Sequence, residues 1–323
     1  MGDRRLTMTL FRLGLVGAGR MGRVHLQALS SSDTVRVVAV AEPSETACVG
    51  LGDIAIHADV AAMLRAGSLD GVLIAAPSTL HLDLVTQIAA AGLPVLCEKP
   101  CGVAADQARE AAVLADRHKV NLQVAYWRRF VPALRQLRQR VADGELGALY
   151  FLASCQWDGE PPAVRFRANS GGIFVEMGVH EFDQIRWLSG QEMLHLDAAA
   201  ASVSTDPPVA GDAESAQVLC ALSGGSTALV SLGRRFPLGD VCRVEVFGTR
   251  DVEDCRFLWP PDGERVYLDA LRRQAEGFAA WVRGGSAKGA TAADAVAAFG
   301  SHGTCIGCVG AVIGDGYGSG TRH

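Results

Sequence analysis

Residues 12–22 read Arg12-Leu13-Gly14-Leu15-Val16-Gly17-Ala18-Gly19-Arg20-Met21-Gly22, an apolar run that breaks into three glycines spaced G-x-G-x-x-G and then enters a helical stretch. This is the pattern of a strand, a phosphate turn and a helix start. Gly17 allows the tight turn, Gly19 lets backbone approach a pyrophosphate, and Gly22 permits close helix–strand packing, with the anion on N–H groups at the helix N-terminus beside Arg20 and Met21. A second apolar run, Val35 to Ala41, closes on Glu42. Glu42 stands about 20 residues beyond Gly22, where a carboxylate accepts both ribose hydroxyls of a dinucleotide.

Further along, Asp70-Gly71-Val72-Leu73-Ile74-Ala75-Ala76 reads as the third clear strand, followed by Pro77, Ser78 and a helix from Leu82 to Ala91 opened by His81. Ligands of an open α/β sheet sit beyond the carboxyl ends of its strands, so Pro77, Ser78 and His81 are expected beside the glycine turn. His81 alone reads equally as a helix cap or a ligand contact. Leu93-Pro94-Val95-Leu96-Cys97-Glu98-Lys99-Pro100 is a short buried strand ending in an acid and a base held against proline. Exposed Glu-Lys neighbours are usually a solvated pair. At a strand end facing the expected nicotinamide, Glu98 becomes a cofactor contact and Lys99 a group suited to proton transfer near neutral pH.

After a strand from Val120 to Tyr126 the character changes. Residues 128 to 147 are predicted helical and carry Arg128, Arg129, Arg135, Arg138 and Arg140, with Arg128 or Arg129 close enough to the strand end to reach substrate. Strands at Leu149 to Gln156, Ser215 to Leu222, Thr227 to Arg234 and Arg243 to Phe247 are separated by turn residues, which makes the second half α+β with a mainly antiparallel sheet. The division falls at 1–124 for a dinucleotide-binding domain and 125–323 for a substrate-binding and oligomerisation domain. No internal repeat is evident, and residues 314–323 read as a disordered tail.

Ser170-Gly171-Gly172 opens a predicted helix through Leu188. At about 100° per residue, Glu176, His180, Asp183 and Trp187 share a sector roughly 60° wide, apart from the stripe of Val175, Val179 and Phe182. Glu176 and His180, at i and i+4, can touch, the carboxylate orienting the imidazole. The bland alternative is a solvated helix pair.

Composition bounds the rest. With 323 residues the chain exceeds the size at which single cores stop growing, about 250 to 300 residues. A net charge of −5 offers no broad attraction to nucleic acid or an anionic membrane. Apolar stretches end well before the ~18 residues of a membrane span, so a soluble protein is expected. The start of the chain lacks a signal-peptide h-region, and Leu6 stands where myristoylation wants Ser or Thr. Nine scattered cysteines fit a reducing, cytoplasmic setting, and Cys305-Ile306-Gly307-Cys308, without a second pair, reads as packing and not a metal site.

The order of Gly17-x-Gly19-x-x-Gly22, Glu98-Lys99-Pro100 and Gly171-Gly172 through Glu176-x-x-x-His180 resembles the Gfo/Idh/MocA oxidoreductases over nearly the whole chain. Trp127-Arg128-Arg129-Phe130, Ser170 to Phe174 and His180 to Leu188 are most similar to its inositol 2-dehydrogenase branch. The resemblance implies a Rossmann domain followed by a domain with a large open sheet whose face packs in a homodimer or homotetramer. It also implies NAD(P)-dependent chemistry on a secondary alcohol of a cyclitol or sugar. Lys99 would bind the reacting hydroxyl, and His180 would be the acid/base nearest it. Glu176 stands where the family usually has Asp, and Phe236 to Cys242 contains no tyrosine where inositol dehydrogenases tend to carry one. Arg128, Arg129, Trp157, Asp158 and Asp183 complete the expected substrate contacts. Glu42, with no arginine immediately beside it, favours NAD over NADP. The alternatives are an NAD(P)H-dependent reductase of a keto sugar or keto cyclitol, and a dinucleotide-binding regulator without turnover.

Overall fold

A computed structural model of the chain describes residues 9–202, 209 and 212–298. The expectations for residues 1–6, for the Cys305–Cys308 pair and for the tail fall outside these residues. The chain divides into two compact units. Of the described residues, one takes those up to Gly102, then Arg109–Trp127 and Leu268–Ala292; the other takes Val103–Ala108, those between Arg128 and Tyr267, and those from Ala293 onward.

Thirteen strands are described: β1 (Phe11–Val16), β2 (Val35–Ala41), β3 (Ala55–His57), β4 (Gly71–Ile74), β5 (Val95–Cys97), β6 (Leu122–Val124), β7 (Leu149–Trp157), β8 (Met193–Ala201), β9 (Ser215–Leu222), β10 (Thr227–Gly233), β11 (Val241–Gly248), β12 (Val252–Leu258) and β13 (Ala290–Thr291). The first unit holds a seven-stranded sheet in the order β13-β6-β5-β4-β1-β2-β3. Its first six strands in sequence run parallel, and β13 is antiparallel to β6. Strand order reverses between β1 and β4, the switch point where doubly wound sheets place a dinucleotide. Leu13, Leu15, Val40, Leu73 and Leu96 fill the core, with Phe11 edge-on to Phe278 at 6.0 Å. β3 and β13 escape the sequence pattern because segments of three and two residues carry no readable period.

The second unit holds a six-stranded sheet in the order β12-β11-β7-β10-β9-β8. Only β7 and β10 pair in parallel; every other pair is antiparallel. β9 alternates buried Ala216, Val218, Cys220 and Leu222 with exposed Gln217, Leu219 and Ala221. The sheet meets the helix Val179–Ser189 through β7 and β10, and the opposite face leaves Leu219 beside its register partner Leu229, both exposed. β8, with its alanine run, and β12, with charges at alternate positions, lack the apolar alternation by which a strand is recognised.

The helix predicted over 128–147 is shorter. Trp127–Phe130 forms a 3-10 turn and the α-helix spans Pro132–Ala142. Pro132 is well suited to a first helical position, where its missing N–H is no loss. Among the described residues, no helix is long and apolar enough to cross a membrane.

Candidate active site

In the first unit the candidate residues stand along the carboxyl edge of the sheet. Gly17 has φ +91°, and a Cβ there would lie 2.9 Å from the Ala75 carbonyl oxygen. A Cβ at Gly22 would sit 2.1 Å from the Gly17 oxygen, so the helix Arg20–Leu29 can approach the turn only with glycine at this position. At Gly19 a Cβ would meet nothing within 4 Å. No side chain caps this helix, and its first turn, with Arg20 and Met21, carries no acid. A helix end of this kind suits an anion, and the residues fit the phosphates of a dinucleotide. Half-buried Glu42 closes the turn: Oε2 accepts from the Ala18 N–H at 2.7 Å and Oε1 from the Ser44 N–H at 2.9 Å. Each carboxylate oxygen has a second lone pair, so Glu42 fits the ribose hydroxyls without giving up these bonds.

Pro77 is exposed and Ser78 half-buried after β4. His81 opens the helix His81–Ala90 but points inward, 1% exposed, with Nδ1 2.7 Å from the Pro100 carbonyl oxygen and Nε2 2.9 Å from that of Ala76. Glu98 is buried beyond β5. Its Oε1 meets His25 Nε2 at 2.7 Å and its Oε2 accepts the Lys99 N–H at 3.1 Å. Burial pushes the Glu98 carboxyl up. The hydrogen bond to His25 and the charges of His25 and Lys99 outweigh it and hold the group below its ordinary range. Lys99 is half-buried. His25 is the residue that sequence reading misses here; its signal is a polar ring three residues after Gly22 on an otherwise packed helix face.

In the second unit the helix reading needs a correction. Phe174–Gly178 is wound as a π-helix that runs on into the α-helix Val179–Ser189. Bonds from i to i+5 rotate the residues on one side of the π turn against those on the other, so the 100° wheel that groups Glu176 with His180, Asp183 and Trp187 does not apply. Nor is the α-helix amphipathic, since eight of its eleven residues are buried, His180 at 5% exposure among them. Glu176 Oε2 lies 3.2 Å from Arg234 Nη1. Arg234, fully buried, also binds Asp212 at 2.9 Å, and Asp212 in turn binds Arg167 at 2.7 Å. Sequence reading misses Arg234 and Asp212 because nothing local ties residues so far apart in the chain.

Arg128, Arg129 and Asp183 are turned inward as well. Arg128 pairs with Glu181 at 2.6 Å and donates to Gln156 at 2.7 Å. Arg129 grips Asp183 through two hydrogen bonds, reaches Asp294 at 3.0 Å and lies 6.0 Å from the Trp187 ring centre. Burial works against its charge, but Asp183 and Asp294 win and hold Arg129 above its ordinary value. These side chains brace the His180 helix through the ion pairs to Glu181 and Asp183. Trp157 covers Gly233 and donates to Ser231 Oγ at 3.2 Å. Asp158 is half-buried; burial first, then the charge of Glu176, push its carboxyl up to about 6. Phe236, in the stretch without tyrosine, stacks edge-on with Trp157 at 6.1 Å.

Comparison with known proteins agrees with this architecture. Residues 11–126 match the model of the oxidoreductase family with an NAD-binding Rossmann fold, and residues 134–252 match the Gfo/Idh/MocA C-terminal domain. The chain is 55% identical over 294 residues, 90% of its length and 93% of the relative's, to the rhizopine catabolism protein MocA of Rhizobium meliloti. It is 35% identical over 244 residues to an inositol 2-dehydrogenase of Rhizobium meliloti strain 1021, covering 74% of this chain and 73% of that one. Among solved structures, a putative myo-inositol dehydrogenase from Sinorhizobium meliloti 1021 superposes with a TM-score of 0.87 at 30% identity, over 94% of this chain and 98% of the other. A glycine turn at the switch point, a lysine beyond β5 and a buried histidine on a helix against a mainly antiparallel sheet thus occur in a chain that belongs to the Gfo/Idh/MocA family of oxidoreductases.

Proposed function

We propose that this chain is an NAD-dependent dehydrogenase that oxidises a secondary alcohol of an inositol-like cyclitol or sugar. Bound nicotinamide supplies the hydride acceptor. Lys99 holds the reacting hydroxyl and, with His180, takes its proton as the alcohol becomes a ketone. Glu176, kept in place by Arg234, orients the substrate beside His180. Glu42 selects NAD, because a ribose 2′-phosphate would meet its carboxylate. Gly17, Gly19, Arg20, Met21 and Gly22 hold the pyrophosphate.

The observation that carries this reading is Lys99 at the carboxyl end of β5, next to the strand that borders the switch point, in a chain whose 35%-identical relative is named an inositol 2-dehydrogenase. The exposed Leu219–Leu229 face supports a homo-oligomer. Light scattering that reports a monomer at working concentration would remove that part of the proposal.

The test is NAD and NADP reduction against myo-, scyllo- and chiro-inositol, common sugars and a rhizopine, the compound named by the 55%-identical relative. Turnover of a cyclitol with NAD ahead of NADP is the expected result. Binding of NAD with no turnover on any polyol or ketone would make the chain a regulator, and reduction of keto sugars alone would reverse its direction.

A further inference from the structure

The Glu98-Lys99-Pro100 turn is gripped at both ends by histidines that no step of the proposed reaction uses. His25 comes from the helix just after the glycine turn and is fully buried. Its Nε2 meets Glu98, and its Nδ1 has no hydrogen-bond partner among the described residues. An apolar side chain would pack at this position without leaving a buried nitrogen unsatisfied, so packing alone does not account for an imidazole there. The ring fixes one oxygen of Glu98 while the other accepts the Lys99 backbone N–H. His81 works at the far end, where its ring nitrogens face the Pro100 and Ala76 carbonyl oxygens and link the segment after β5 to the segment after β4.

Lysine has four rotatable bonds and a point charge, so its ammonium is only as well placed as the backbone beneath it. Without His25, one oxygen of buried Glu98 would lose its partner, and the turn that carries Lys99 would keep only the bond from the Lys99 N–H to the other oxygen. We propose that His25 and His81 are positioning residues for Lys99, gripping its turn through the Glu98 carboxylate and the Pro100 carbonyl. This rests on Lys99 being the lysine that handles the reacting hydroxyl.

The chain contains only three lysines, Lys99, Lys119 and Lys288, and the latter two are exposed. Competitive acetylation of the full chain with acetic anhydride, read by mass spectrometry, therefore reports Lys99 against two internal standards. In His25→Leu the Lys99 rate is expected to shift about tenfold relative to the others, the equivalent of losing the one charge-assisted hydrogen bond that fixes Glu98 beneath its turn. His25→Gln, which still reaches Glu98, restores it. His25→Asn, polar but too short, does not, and the Gln and Asn pair carries the test if the leucine variant fails to fold. His81→Leu is likewise expected to alter the Lys99 rate, with His81→Asn restoring it through the bond to Pro100. An unchanged Lys99 rate in folded His25→Asn or His81→Leu overturns the positioning role of that histidine. Lys99→Ala separates the two ideas: if it leaves polyol-dependent NAD reduction intact, the proposed function fails, whatever the labelling shows.

Discussion

Glu42 and Glu98 in the first unit and Glu176 and Asp183 in the second are carboxylates near candidate chemistry, yet they are held in different ways. Glu42 and Glu98 take backbone N–H groups from residues close to the glycine turn and the Lys99 turn. Glu176 and Asp183 are held by arginines 58 and 54 residues away in sequence. The first arrangement depends largely on the path of the backbone, with the His25 ring holding the other oxygen of Glu98, and the second on buried opposite charges whose mutual attraction offsets their loss of water. The units should accordingly break under opposite changes, one when a small group is added and the other when a charge is removed.

The largest effect is expected in the second unit. Arg234→Met breaks a buried network, leaving Asp212 with Arg167 alone and Glu176 without its arginine, and should cost about 3–5 kcal/mol in urea unfolding. A loss below ~1 kcal/mol would mean that the network is not what fixes Glu176. In the first unit, Gly22→Ala forces a methyl to within 2.1 Å of the Gly17 oxygen. The expected cost is about 1–3 kcal/mol, with NAD binding, monitored by fluorescence titration, weakened alongside it.

Smaller changes sharpen the contrast. Glu42→Ala should weaken NAD about tenfold, the loss of one charge-assisted hydrogen bond, and leave NADP unaffected or improved. Equal losses for both cofactors would sever Glu42 from the ribose. Asp158 tests the electrostatics of the second unit. Its folded value of about 6 lies above its ordinary value, so the folded state binds more protons than the unfolded one between about pH 4 and 6, and stability falls as pH rises through that window. Asp158→Asn should flatten this slope and stabilise the protein by about 1–2 kcal/mol at pH 7. Melting temperatures across pH 4 to 8 read both effects.

The same contrast explains which features are legible in the sequence. Gly17, Gly22 and Glu42 are readable because their contacts lie within one strand–turn–helix–strand unit, and Lys99 by its place after β5, whereas the bond from His25 that fixes its turn is not local. β2 and β9 coincide with their apolar runs for the same reason. Glu176, Asp183, Arg128 and Arg129 are placed from sequence only by a regular wheel or by nearness to a strand end. A π turn and partners such as Glu181 and Arg234 decide their orientation, and neither leaves a periodic trace. Asp158 is intermediate, since its place at the end of β7 is local while the charge of Glu176 that acts on it is not.

The proposal that Lys99 and His180 both act in the oxidation is tested most directly by a kinetic double-mutant cycle, Lys99→Ala and His180→Ala, read as NAD reduction with the best cyclitol of the panel. Each single change is expected to lower kcat about 10²–10⁴-fold, and the double variant to fall little further, because groups that move one proton act as a unit. Fully additive losses, or a His180→Ala protein that turns over like the parent, would contradict the account.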